Sequence, residues 1–199
     1  MSQQREPWLT SAVGELRPIF EAHNFPLPEK IRVTCGFPSK FARAINRAMG
    51  EWHPPSSSAD GHHEIFISPV ESDPWSVLGT LVHELCHSAT PDDGHRGCFP
   101  ALAKKMHLEG KPSATRIGKT FKQEFASILE TLGEYPHANL DVTADNKTQS
   151  TRMLKVVCPS CIEHHPDGRV KWQYSFRMSQ YTADKGTPTC PCGTKTQLA

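Results

Sequence analysis

Asp73-Pro74-Trp75-Ser76-Val77-Leu78-Gly79-Thr80-Leu81-Val82-His83-Glu84-Leu85-Cys86-His87-Ser88-Ala89 is the stretch on which the fold turns. Asp73 is a good N-cap, because its carboxylate can accept from the free N–H groups of a first turn. Pro74 suits the first helical position, where no N–H is needed. Val77, Leu78, Leu81, Val82, Leu85, Cys86 and Ala89 then form one broad apolar stripe at helical spacing. The spacing predicts a helix from Asp73-Pro74 to about Ala89. At about 100° per residue, His83 and His87 project nearly opposite the centre of that stripe. Their neighbours on that face are the small residues Ser76, Gly79 and Thr80. One side of the helix packs in a core and the other floors a cleft.

His83-Glu84-Leu85-Cys86-His87 has the pattern H-E-x-x-H. Residues four apart share a helix face, so both imidazoles can reach one Zn²⁺. Glu84 falls beside such a metal, where a carboxylate can take a proton from an attacking water. Chance supplies roughly 0.04 such matches in a chain of this composition, and the helical context lowers that further. A catalytic zinc needs a third protein ligand and an open position. His95, in Pro91-Asp92-Asp93-Gly94-His95-Arg96-Gly97, is the leading candidate, because proline and glycine turn the chain back after the helix. Asp92, Asp93, His107 and His137 are alternatives. Tyr135 and His137 are candidates to stabilise an oxyanion.

Working outward, residues 8–22 are apolar at helical spacing, with Pro18 expected to kink or break the helix. Ile31–Cys35 and Glu64–Ser68 read as strands, and Phe41–Met49 as a short helix. His53–Gly61 reads as a loop, with His62 and His63 solvated. Further helices are expected over Cys98–Leu108 and Lys119–Leu132, the second stopped by Gly133, with Gly110–Gly118 a polar loop between them. Glu64–Ser68, just before the active helix, is expected to pair with an extended substrate. Cys86 reads as a buried small hydrophobe, and Cys35 and Cys98 as structural.

The chain has 199 residues and a formal net charge of +1, so no global field draws it to nucleic acid or a membrane. No apolar run is long enough to span a bilayer. Met1–Pro7 has no apolar signal-peptide region, which predicts a cytoplasmic, reducing compartment. There seven cysteines should be thiols or metal ligands. Cys158-Pro-Ser-Cys161 and Cys190-Pro-Cys192 make two knuckles, the second one residue short. They predict a zinc ribbon with a closed Cys₄ site, with His164 or His165 able to replace a cysteine. So small a module needs metal to fold. Between the knuckles, Val170, Trp172, Tyr174 and Phe176 alternate with Lys171, Gln173, Ser175 and Arg177, which predicts a half-buried strand. Its aromatic face either fills the ribbon's own core or stacks on bases, and the six basic and two acidic residues of 147–177 favour phosphate.

The H-E-x-x-H followed by Gly94-His95-Arg96-Gly97-Cys98-Phe99 and a cysteine ribbon resembles SprT-like metallopeptidases, most closely compact bacterial and bacteriophage members. Glu64–Pro69, Gly110–Thr115, Gly133–His137 and Thr148–Lys155 support the likeness, which spans roughly residues 25–195. The resemblance implies an α+β fold: a zincin-like peptidase domain over 1–140, a linker at 141–150 and a zinc ribbon over 151–199. It implies a catalytic zinc on His83, His87 and His95, Glu84 as the catalytic residue, and a structural zinc on Cys158, Cys161, Cys190 and Cys192. The expected activity is hydrolysis of peptide bonds in protein substrates, including DNA-associated ones, with DNA met through the basic C-terminal module and no membrane partner. The rival expectation is a non-catalytic zinc-ribbon protein that binds DNA or the transcription machinery.

Overall fold

A computed structural model of the chain describes residues 4–39, 47–142 and 153–199. The expected short helix over 41–49 and the linker over 141–150 fall largely outside them. The fold is mixed α+β, and its contacts divide it into two compact units, Met1–Ala144 and Asp145–Ala199.

In the first unit, helix α1 (Arg5–Ala22) leads into strand β1 (Ile31–Cys35). Pro18 does not end α1. Leu16 and Phe20 flank it and are fully buried, so packing on both sides outweighs the lost backbone bond. Strand β2 (Gly50–His53) and a single 3-10 turn at Pro55–Ser57 occupy the stretch before β3 (His63–Ile67). The sheet order is β1-β3-β2, with β1 parallel and β2 antiparallel to β3. The strand read as Glu64–Ser68 is therefore central and has no free edge. The edges belong to β1 and to β2, and most of β2 fell between the helix expected to end at Met49 and the loop expected to begin at His53.

Helix α2 (Pro74–Ala89) begins with Asp73 Oδ2 accepting from Ser76 N–H at 2.9 Å. Val77, Leu78, Leu81, Val82, Leu85 and Cys86 are fully buried. Helix α3 (Phe99–Lys105) is shorter than expected and stops before His107, which takes a left-handed conformation (φ 58°). The stretch expected as a polar loop is a hairpin, β4 (Leu108–Lys111) with β5 (Ala114–Ile117). The helix expected over 119–132 is broken at Phe125 into α4 (Lys119–Glu124) and α5 (Ala126–Leu132), and Gly133 (φ 70°) terminates it. The side chains of α1, α2, α3, α4 and α5 meet β3 in one core that includes Trp8, Phe20, Ile65, Ile67, Phe99 and Phe121.

The second unit is built on β6 (Leu154–His164), β7 (Val170–Met178) and β8 (Gln197–Leu198), in the order β7-β6-β8, with a short helix α6 (Gln180–Ala183). Its buried apolar residues are Val156, Val157, Cys158, Met178 and Cys190. That is too little for a self-sufficient core. Among the described residues no helix is long and apolar enough to cross a membrane.

Candidate metal centres and cleft

Helix α2 carries His83 and His87 one turn apart. After it, Thr90 Oγ1 donates to Cys86 O at 2.8 Å and closes the last turn. Gly94 (φ 56°) and Gly97 (φ 52°) bend the chain back in conformations that suit glycine. Asp93 Oδ2 accepts from Cys98 N–H at 2.7 Å inside this loop, so that carboxylate shapes the turn. His95 is thereby returned to the helix. Its Nε2 lies 3.2 Å from His87 Nε2 and 3.3 Å from His83 Nε2. Three nitrogens bound to tetrahedral zinc at 2.0–2.1 Å stand about 3.3 Å apart, so the donor set fits that metal. Asp92, Asp93, His107 and His137 do not join the group.

The surroundings prepare the imidazoles as ligands. His83 Nδ1 lies 2.8 Å from Thr115 Oγ1 on β5. Donation from Nδ1–H to that hydroxyl leaves the Nε2 lone pair facing the other two rings. Phe99 is fully buried beneath all three rings, with centroids at 5.1, 4.3 and 5.1 Å from His83, His87 and His95. Burial holds all three rings below the usual histidine range, His83 at about 4 and His87 at about 3, with the neighbouring rings adding to the effect on those two. They are neutral near pH 7, the form that binds metal.

Glu84 is 6% exposed, and the nearby backbone N–H of Trp52 on β2 favours its ionised form. Burial pushes its carboxyl up to about 8, the nearby Glu51 and Glu71 carboxylates add to this, and the Trp52 N–H opposes it. Gly50 presses on the same side chain, and a Cβ there would meet Glu84 Oε1 at 2.5 Å.

These residues stand in a cleft of about 780 Å³. Ser76, Gly79, Thr80, His83, Glu84 and His87 of α2 line it, with Gly50–Trp52 contributed by β2 and Ala114–Ile117 by β5. Ile117 lies directly on Gly79, where any Cβ would clash with it, so a glycine in the helix lets β5 approach. Glu71 also lines the cleft. Its Oε2 is buried without a hydrogen-bond partner, and burial pushes its carboxyl up to about 7.

Tyr135 and His137, which the sequence left open between an oxyanion role and a Tyr-Pro turn after a helix, do not line the cleft. Tyr135 packs edge-on against Trp8 at 5.0 Å, and His137 sits between Pro69 O and Arg5. His63, read as solvated, is 7% exposed and accepts the indole N–H of Trp52. Gly50, Trp52 and Thr115 were missed. Thr115 and Ile117 alternate as β-branched residues, which was a usable strand signal. Gly50–His53 offered almost none.

In the second unit, Cys158 Sγ lies 3.6 Å from Cys192 Sγ, and Cys161 Sγ lies 3.8 Å from Cys190 Sγ. All four thiols fall within 4.8 Å of one another. Sulfurs on tetrahedral zinc at 2.3 Å stand about 3.8 Å apart, so the shortened second knuckle closes the set. Gly193 (φ 87°) makes that turn, with its N–H donating to Cys190 O at 2.8 Å. Hydrogen bonds from Thr194 lower the Cys192 thiol to about 6. His164 and His165 are exposed and outside the group. The aromatic face of β7 does not fill a core: Val170, Trp172 and Tyr174 are 53%, 51% and 36% exposed. Part of the basic charge beside it is paired, Arg169 with Asp167 at 2.7 Å and Lys171 with Glu163 at 3.4 Å.

No protein-family model, no curated protein and no solved structure matches the chain.

Proposed function

We propose that this chain is a zinc-dependent endopeptidase of SprT-like, zincin-like type, acting on extended segments of protein substrates. The observation that carries the reading is the convergence of three neutral imidazoles beside a buried carboxylate in an open cleft. His83, His87 and His95 would hold the metal. Zinc, when bound, lowers the pKa of a water and polarises a carbonyl. Glu84 accepts the proton of the attacking water and returns it to the leaving amine nitrogen. Its ionised form is favoured by a neighbouring cation and by the Trp52 N–H. Substrate enters along β2. Met49 O accepts from Ser68 N–H toward β3, so by antiparallel alternation the backbone groups of Gly50 and Trp52 face outward. An extended peptide can use Gly50 N–H and C=O and Trp52 C=O.

The test is cleavage of an unfolded protein by the zinc-loaded full chain, with and without single-stranded DNA. Glu84→Gln should keep the nitrogen-ligated zinc and lose about 10²-fold or more in rate. Cleavage by that variant at the parental rate refutes the role of Glu84.

A second reading is supported by the exposed Val170, Trp172 and Tyr174 on one face of β7, with Lys171 and Arg177 on its other face. These suit stacking on the bases of a single strand, and a ribbon that binds DNA without proteolysis would use them. DNA binding with no cleavage under any condition decides for it.

A further inference from the structure

Trp52 touches both halves of the site while being neither a metal donor nor the base. Its backbone N–H lies near enough to Glu84 to favour the ionised carboxylate, and Gly50 and Trp52 of β2 line the same cleft as Glu84. Its indole stacks on the ring of His87, with centroids 5.9 Å apart and planes 16° apart. Phe99 also stacks on His87, at 4.3 Å and 28°, so two aromatic planes hold that ligand ring. The indole is itself anchored: Nε1–H donates to His63 Nδ1 at 3.1 Å, and His63 is buried on the central strand β3. The chain of contact therefore runs from the sheet, through one residue, to the base and to a ligand. It also runs through the strand whose outer edge faces the cleft.

We infer that Trp52 is a positioning residue that locks Glu84 and His87 into one geometry. The inference rests on the metallopeptidase reading. If β2 slides against α2, the N–H near Glu84 and the plane behind His87 move together. Peptide docking on β2 therefore bears on the metal ligand as well as on the base. Without the indole, the His87 ring loses one of its two flanking planes, and β2 loses its anchor on His63. Outer partners of metal ligands are commonly worth 10–100-fold in metal affinity.

The experiment compares the full chain with Trp52→Leu, Trp52→Phe and His63→Leu. Zinc affinity at the nitrogen-ligated site is read by chelator competition. The Co²⁺-substituted spectrum is read in bands that lack the ribbon's thiolate charge transfer. Both kcat and KM are measured on an unfolded protein. Trp52→Leu should weaken zinc about tenfold, alter the Co²⁺ bands and lower kcat about tenfold with KM within about twofold. Trp52→Phe keeps a plane behind His87 and should recover most of the affinity. His63→Leu removes only the anchor and should show a smaller loss in the same direction. Thermal unfolding followed by circular dichroism checks folding, and if Trp52→Leu does not fold, the other two variants decide. Parental affinity, bands and kcat in Trp52→Leu, or no loss in His63→Leu together with no rescue by Trp52→Phe, overturns the inference. A parent that binds zinc and cleaves nothing overturns the peptidase reading instead, while affinity and bands still judge Trp52.

Discussion

Replacing Gly50 by alanine separates catalysis from metal binding. A Cβ at this position would lie 2.5 Å from Glu84 Oε1, 2.8 Å from Glu84 Cγ and 2.7 Å from Thr80 Cγ2. Ordinary van der Waals contact begins near 3.4 Å, so something must retreat by about 0.6–0.9 Å. Thr80 is β-branched and sits mid-helix, where χ1 is stiff. Glu84 is 6% exposed and close to the Trp52 N–H, so it has little room, yet it is the longer side chain and gives first. A misplacement near 1 Å costs on the order of 10²-fold in rate. The three nearest atoms belong to Glu84 and Thr80 and none to a histidine, so zinc affinity should stay within about twofold. Overpacking costs about 1–3 kcal/mol of stability, which a chemical denaturation curve will register. The assay is steady-state cleavage of an unfolded protein at saturating zinc, paired with chelator competition. Parental kcat in Gly50→Ala, or a fall in zinc affinity that matches the fall in kcat, refutes the reasoning.

Thr115→Val removes the oxygen 2.8 Å from His83 Nδ1 at nearly constant volume, and zinc at the nitrogen site should weaken 10–100-fold in chelator competition; unchanged affinity would show the hydroxyl to be dispensable. Glu71 has a folded pKa raised from 4.5 to about 7 by burial, so its stabilising share is full below about pH 4.5 and is lost as pH rises through about 7. Glu71 by itself should therefore withdraw up to about 3 kcal/mol over that window, so the Tm of Glu71→Gln should rise relative to that of the parent between pH 4.5 and 7. A parental slope in the variant counts against a buried, strained carboxylate. Stripping the Cys₄ site with a strong chelator should erase the dispersed amide NMR signals of residues 154–198, because among the described residues Val156, Val157 and Met178 are what join two cysteines in that core. Dispersion persisting without metal would mean that the ribbon folds on its own.

Much of the histidine cluster was legible because its determinants are local. The Asp73 cap, the Pro74 start and the apolar stripe specify α2, and that helix alone fixes His83 against His87. Gly94 and Gly97 announce a turn that only glycine makes easily, and the turn returns His95. The walls of the cleft were not legible, because they are set by pairing across the chain. Gly50–His53 is four half-buried residues that open on a glycine and run into two prolines, and it is a strand only because β3 lies beside it. Gly110 and Pro112 look like breakers, so Gly110–Gly118 read as a loop although Thr115 and Ile117 alternate correctly. His63 was read by its neighbours in sequence and not by the indole that the sheet brings to it.

The ribbon strand makes the complementary point. The alternation of Val170, Trp172, Tyr174 and Phe176 correctly predicted a strand with an apolar face, yet alternation says only that such a face exists. Whether it is covered depends on a second layer. Among its described residues the ribbon has three strands and one short helix, and three of these four residues remain exposed. The two units thus differ in what their uncovered residues imply. In the first, the polar groups left in the cleft are neutral imidazoles and a carboxylate beside a strand edge, a set that suits chemistry on a peptide. In the second, the groups left outside are aromatic rings and partly paired cations around a closed metal site, a set that suits contact without chemistry. On the proposed reading, the first unit would cut and the second would bind.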